Sequence, residues 1–307
     1  MSLLALAEMF PDEESARRWF ESQVWPKERC CGHCGSVRTK TVPSEKPMPY
    51  WCSDCRSYFS VRTGTVLERS KVPLRKWAYA VYILTTSVKS VPSTKLAEDI
   101  GVTQPTAWFL LQRLRKAWNH PGQRRRMRGT VEVDETYFGG KEKNKRVKSK
   151  LGRGPVGKTA VVGAKNRDTK QVSARVVGTG TPPAPVLRDF VEDTAETGST
   201  VYSDGAWAYK TMTGFTHASV AHSRGEYVRY EKGRCIHTNG IESFWAILKR
   251  AYMGTFHWLS PKHLQRYIDE FCWRSNAHSL GTLERMELTA AGMVGKRLTY
   301  RELIGGS

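Results

Sequence analysis

The sequence has no apolar run approaching the roughly 18 residues of a membrane-spanning helix, so an integral helical membrane protein is not expected. It also lacks the basic start and the apolar length of a signal peptide. Its opening, MSLLALAEMFPDEESARRWF, soon turns acidic and reads as an amphipathic helix. Acid is scarce: 29 Asp and Glu face 49 Lys and Arg, a formal charge of +20. Hydrophobic and aromatic residues are not scarce, at 39% and 10%, which excludes a disordered basic tail. The 307 residues allow two or three domains. These absences leave a soluble, cytoplasmic, multidomain protein with no membrane partner, whose excess positive charge points to a polyanion, above all nucleic acid.

Five of the seven cysteines crowd into residues 30–55. Cys31-x2-Cys34 and Cys52-x2-Cys55, seventeen residues apart, form two knuckles able to bring four thiolates to one tetrahedral Zn2+. The stretch between them can supply the hairpin strands of a zinc ribbon. Cys30 and His33 are alternative ligands, but the symmetric four-Cys set is simpler. With every position filled by protein, such a zinc is structural.

From Pro73 to Trp118 the chain reads as helices. Trp77, Val81, Leu84 and Val88 mark one amphipathic face, and Leu96, Ala97 and Ile100 a second. Gly101 ends that helix, Val102 plugs a turn, and Thr103 with Pro105 begins the next helix, over about 104–116. This is helix-turn-helix spacing. Gln104, Thr106 and Gln112 are available to a DNA groove, and Arg113, Arg115 and Lys116 to phosphates.

Between Arg124 and Lys158 twelve basic residues face four acidic ones. The run holding Lys141, Lys143, Lys145, Arg146, Lys148 and Lys150 is flanked by glycines, so a cationic loop that binds phosphates without sequence choice is expected.

Residues 129 to 280 alternate strand-like and helix-like stretches, an α/β mixture with a mixed sheet flanked by helices. Three acids occupy special places there. Asp134 falls late in a strand, facing away from Val131 and Val133. Asp204 ends a β-rich run, and Glu242 sits in the first turn of a helix. Lys249 follows Glu242 by two helical turns, roughly 10 Å. Such a set can hold Mg2+ while an ammonium reaches a phosphate of the same substrate, and two ions suit an in-line displacement. Glu132 and Glu135 compete with Asp134 for the first ligand position.

The ordered motifs VDETYFGG, YSDG, HTNGIESFWAILKR and GTFHWLSPKHLQRYIDEF, behind a zinc ribbon and a helix-turn-helix, resemble a bacterial insertion-sequence transposase of the zinc-ribbon DDE type. The resemblance implies an RNase H-like catalytic domain with Asp134, Asp204 and Glu242 as its triad and Lys249 as its basic partner. Members of this group carry Glu or Asn as third residue. Asn239 lies nearby, and Glu242 is preferred because a carboxylate is the stronger ligand. The implied parts are an N-terminal helix (1–25), zinc ribbon (26–68), helix-turn-helix (72–120), catalytic domain (129–280) and a tail without readable motif (281–307). The implied activity is cleavage at element ends and 3′-OH strand transfer into target DNA, with two Mg2+ or Mn2+ ions. The implied partners are double-stranded DNA and a second copy or more of the chain, near the nucleoid. A DNA-reading regulator and a nuclease that cuts without joining are the alternatives.

Overall fold

The computed structural model describes residues 1–118, 126–140, 155–204, 207–209, 212–221, 224–231 and 233–305. The chain forms two compact units: unit 1 from residues 1–120 and 279–307, and unit 2 from 121–278. Unit 1 opens with α1 (Leu3–Met9) and α2 (Glu13–Val24), then a small sheet of β1 (Thr39–Thr41), β2 (Tyr50–Cys52) and β3 (Ser57–Phe59). Helices α3 (Leu74–Thr86), α4 (Ser93–Ile100) and α5 (Gln104–Ala117) follow. Unit 2 holds β4 (Thr130–Phe138), β5 (Thr159–Asn166), β6 (Val172–Thr179), α6 (Ala184–Thr194), β7 (Thr200–Ser203) and β8 (Thr216–Ser219). It closes with the hairpin β9 (Arg229–Glu231) and β10 (Arg234–Ile236), then α7 (Asn239–Ala251) and α8 (Pro261–Asn276). The chain returns to unit 1 with α9 (Thr282–Ala291) and α10 (Tyr300–Ile304).

In unit 1, Gly101 ends α4 in the left-handed region at φ 61°, as its missing Cβ allows. Thr103 stands at the N-cap of α5, yet its hydroxyl bonds Thr106 at 2.8 Å and caps no backbone N–H. Leu96, Ala97 and Ile100 are buried, as the helical spacing predicts, and Leu110, Leu111 and Leu114 of α5 are buried as well. Val88 departs from that spacing: α3 stops at Thr86, and Val88 is 80% exposed beyond it. The C-terminal residues are integrated into this unit. Trp118 Nε1 donates to Thr289 Oγ1 at 3.0 Å, Lys296 Nζ to the Ala117 carbonyl at 2.5 Å, and Gly295 N–H to the Gly64 carbonyl at 2.8 Å.

Unit 2 is built on a five-stranded mixed sheet in the order β6-β5-β4-β7-β8. The first three strands are antiparallel, while β7 and β8 run parallel to β4. Val131 and Val133 pack with Leu187 and Phe190 of α6 on one face. Phe138 and Val161 pack with Ile241, Trp245 and Leu248 of α7 and with α8 on the other. The result is the helix-flanked mixed sheet expected of the RNase H-like reading. Among the described residues no helix is long and apolar enough to cross a membrane.

Candidate active site

The register of β4 and β7 brings two of the singled-out acids together. Thr130, Val131 and Glu132 pair in parallel with Thr200, Val201 and Tyr202. Two residues further on, Asp134 comes beside Asp204, the first residue past β7. Carboxylate oxygens of Asp134, Glu135 and Asp204 all lie within 4.8 Å of one another. Burial, with the charges of Asp204, Glu135 and Glu242 adding to it, pushes the Asp134 carboxyl up to about 8. Burial likewise pushes Glu135 up to about 7, against the downward pull of a hydrogen bond donated by the Tyr209 hydroxyl.

Helix α7 brings Glu242 to this end of the sheet, and three features set how closely it approaches. Gly163 lies directly opposite Asp134 on β5, and a Cβ there would come within 2.6 Å of the Trp245 ring. Its absence lets α7 settle against the sheet. Gly240 does the same at the helix start, where a Cβ would meet Glu132 Oε2 at 2.6 Å. That carboxylate accepts the Ile241 N–H at 3.0 Å, a negative charge at a helix N-terminus. Its other oxygen accepts from Arg167 Nε at 2.7 Å, and the same guanidinium donates to the carbonyls of Cys235 and His237. Glu242 accepts from the Thr238 hydroxyl at 2.6 Å. It lies outside the close three-acid cluster, near enough for its charge to act on Asp134. Asn239 and Lys249 are exposed, at the first position and in the last turn of α7.

The competition left open by the sequence separates cleanly. Glu132 is 2% exposed and committed to Arg167 and α7, whereas Glu135 joins Asp134 and Asp204. Strand alternation places Glu135 on the opposite face from Asp134. Its approach within β4, with Tyr209 from a short 3-10 turn beside it, is signalled in the sequence only by its adjacency to Asp134. The donor set is all oxygen and strongly acidic, and crowded carboxylates with raised pKa values are relieved by a divalent cation. The residues therefore fit Mg2+ or Mn2+.

In unit 1 the four cysteines of the ribbon converge without forming disulfides. Cys31 Sγ lies 3.6 Å from Cys55 Sγ, and Cys34 Sγ 3.7 Å from Cys52 Sγ. Zinc–sulfur bonds of about 2.3 Å give a tetrahedron edge of roughly 3.8 Å, so the spacing fits Zn2+. Backbone N–H groups of Cys55 and Asp54 pull the Cys52 thiol down to about 7, while burial pushes Cys31 up to about 12. Cys30 stands outside the cluster, and His33 Nε2 lies 3.2 Å from the Tyr58 carbonyl oxygen instead.

On α5, Gln104 is exposed, while Thr106 and Lys116 are half-buried. Gln112, Arg113 and Arg115 are buried, at 0, 6 and 1% exposure. Their assignment to a DNA-facing surface is therefore corrected: α5 is enclosed over much of its circumference, not along one stripe. Lys141, Lys143, Lys145, Arg146, Lys148 and Lys150 lie outside the described residues.

Residues 126–276, nearly the span of unit 2, match the family described as ISXO2-like transposase domain. A protein of Halobacterium salinarum, named as an uncharacterized protein in transposable element ISH50, is 31% identical over 236 residues. That alignment covers 72% of this chain and 76% of the relative. With a helix-flanked mixed sheet carrying clustered acids and a second unit carrying clustered cysteines, the chain belongs to the insertion-sequence transposases.

Proposed function

We propose that the chain is a DDE-type transposase that cuts the ends of its element and joins the resulting 3′-OH to target DNA. The observation that carries this reading is the meeting of Asp134 and Asp204, from neighbouring parallel strands, at the sheet end approached by Glu242. These three carboxylates would hold two Mg2+ or Mn2+ ions. When bound, such ions activate the attacking oxygen and neutralise charge on the leaving one. Glu132 and Arg167 hold α7 so that Glu242 approaches from the helix side. Lys249 and the 141–150 segment hold substrate phosphates. Residues 72–120 contact the terminal repeats through Gln104, Thr106 and Lys116, and residues 26–68 form a ribbon stabilised by one Zn2+. Two element ends must be handled together, which calls for a dimer or larger assembly on DNA.

A strand-transfer assay with Mg2+ and cognate ends tests the reading. Asp134→Ala and Asp204→Ala are each expected to abolish joining, and normal joining by both would overturn the triad. Cleavage without joining by the wild type would instead identify a nuclease. Glu242→Gln compared with Asn239→Ala decides the third residue, and loss only with Asn239→Ala would reverse the choice.

A further inference from the structure

Residues 69–72, the first half of α5 and Tyr300 line a groove of about 320 Å³ in unit 1. Its charge is one-sided. Arg69 and Lys71 are exposed, and neither pairs with an acid among the described residues. The neighbouring acid, Glu68, is already engaged by Arg297 Nε at 3.3 Å and the Gly64 N–H at 3.2 Å. The buried Arg113 also lines the groove, its guanidinium 4.3 Å from the Phe109 ring centre and its Nε donating to the Leu298 carbonyl at 3.2 Å.

The wall is held in place by its own bonds. Arg62 Nη1 donates to the carbonyls of Ser70 and Val72 at 3.1 and 2.8 Å, and Trp77 Nε1 donates to Ser70 Oγ at 3.1 Å. Lys71 lies between these two carbonyls, and Arg69 just before them stands at φ 55°, a left-handed conformation that a residue with a side chain keeps only where its surroundings determine it. On the opposite wall Thr106 contributes a hydroxyl, and α5 begins without a side-chain cap, leaving N–H groups there for an anion or water. Tyr300 meets Phe109 edge-on at 5.6 Å and stays 51% exposed.

Exposed cations on a held backbone, a hydroxyl and an uncapped helix start are the chemistry that recognises phosphodiesters. We propose that this groove seats the sugar–phosphate backbone of duplex DNA alongside α5, with Tyr300 of the C-terminal segment completing its wall. The proposal rests on the reading that the chain acts on duplex DNA. It assigns a use to a segment that holds no readable motif. Binding of this kind is blind to sequence, so base choice falls to other residues of α5, such as Gln104.

The test is equilibrium binding by the full-length protein, without added Mg2+, to a short duplex of element-end sequence and to a scrambled one, across a salt titration. Arg69→Ala with Lys71→Ala is expected to weaken both duplexes alike, on the order of tenfold or more at about 0.1 M salt. The slope of log affinity against log salt is expected to fall by about 1.8, at about 0.9 for each phosphate no longer neutralised. Arg69→Lys with Lys71→Arg is expected to restore both. Wild-type affinity and slope in the alanine variant would overturn the proposal. So would a loss confined to the element-end duplex, or a changed oligomeric mass with an unchanged slope. If the wild type bound neither duplex, the reading of DNA as substrate would fall, and the groove with it.

Discussion

Glu132 Oε2 accepts the backbone N–H of Ile241 at 3.0 Å, so a buried carboxylate on the central strand holds the first turn of α7. The same side chain takes Arg167 on its other oxygen. Acidic side chains serve two purposes within three positions: Glu132 is locked into structure, while Asp134 is left with other acids and in need of a cation.

Glu132→Ala is expected to cost about 3–5 kcal/mol, because it leaves the Arg167 guanidinium without its buried partner and the α7 N-terminus without its acceptor. Urea unfolding measures this. Under conditions where the variant is folded, strand transfer is expected to fall roughly 100-fold as Glu242 loses its placement. An unchanged unfolding midpoint would show that the pin carries no load.

Gly163→Ala brings a methyl group to 2.6 Å from Trp245 and is expected to cost about 1–3 kcal/mol by overpacking. Displacing α7 moves Glu242 while leaving unit 1 unaltered, so cleavage should fall far more than DNA affinity. Equal losses in both would argue against this picture.

The raised carboxyls make metal-free stability depend on pH. Asp134 titrates near 8 when folded and near about 3.9 when unfolded, so the folded state holds its proton more tightly. The stability it contributes is fully present below pH about 4 and is lost as pH rises through about 8. Glu135, at about 7, acts in the same direction. Thermal melts without divalent ions should therefore fall between pH 5 and 8. Mn2+ should raise them by several degrees at the upper end and little at the lower. Asp134→Asn is expected to raise the metal-free melting temperature at pH 8 and to remove most of the Mn2+ effect. A Mn2+ response that does not vary with pH would contradict this account.

Cys31→Ser with Cys52→Ser is expected to reduce zinc content from one ion per chain to none, measured by elemental analysis of purified protein. The ribbon has only three short strands and a small apolar cluster, so the loss should lower unit 1 stability by several kcal/mol, in the range of structural zinc sites. Retained zinc would send the ligand search back to Cys30 and His33.

Much of this architecture is legible before folding is considered. The four cysteines are close in sequence and chemically uncommon, Asp134 sits within a readable strand, and Asp204 follows the end of another. What escapes notice is non-local. Glu135 is a candidate only through its adjacency to Asp134, since alternation puts it on the other face, and its partner Tyr209 lies seventy-four residues away. Gln112 and Arg115 look exposed on a helical wheel, because a wheel shows one stripe and not what encloses the rest of the helix. The last residues have no motif since their meaning lies in partners such as Ala117 and Trp118, more than 170 positions earlier.

That last feature bears on how the protein is made. Unit 1 is encoded in two pieces, and the whole of unit 2 is translated between them. At roughly 5–20 residues per second, the first piece waits on the order of ten seconds before α9 emerges from the ribosome. Through that interval the surfaces of α2 and α3 that α9 later covers are open to chaperones or to neighbouring nascent chains. Unit 2 can complete its sheet while unit 1 is still unfinished. The half of the molecule carrying the clustered acids is thus ready before the half carrying the phosphate groove.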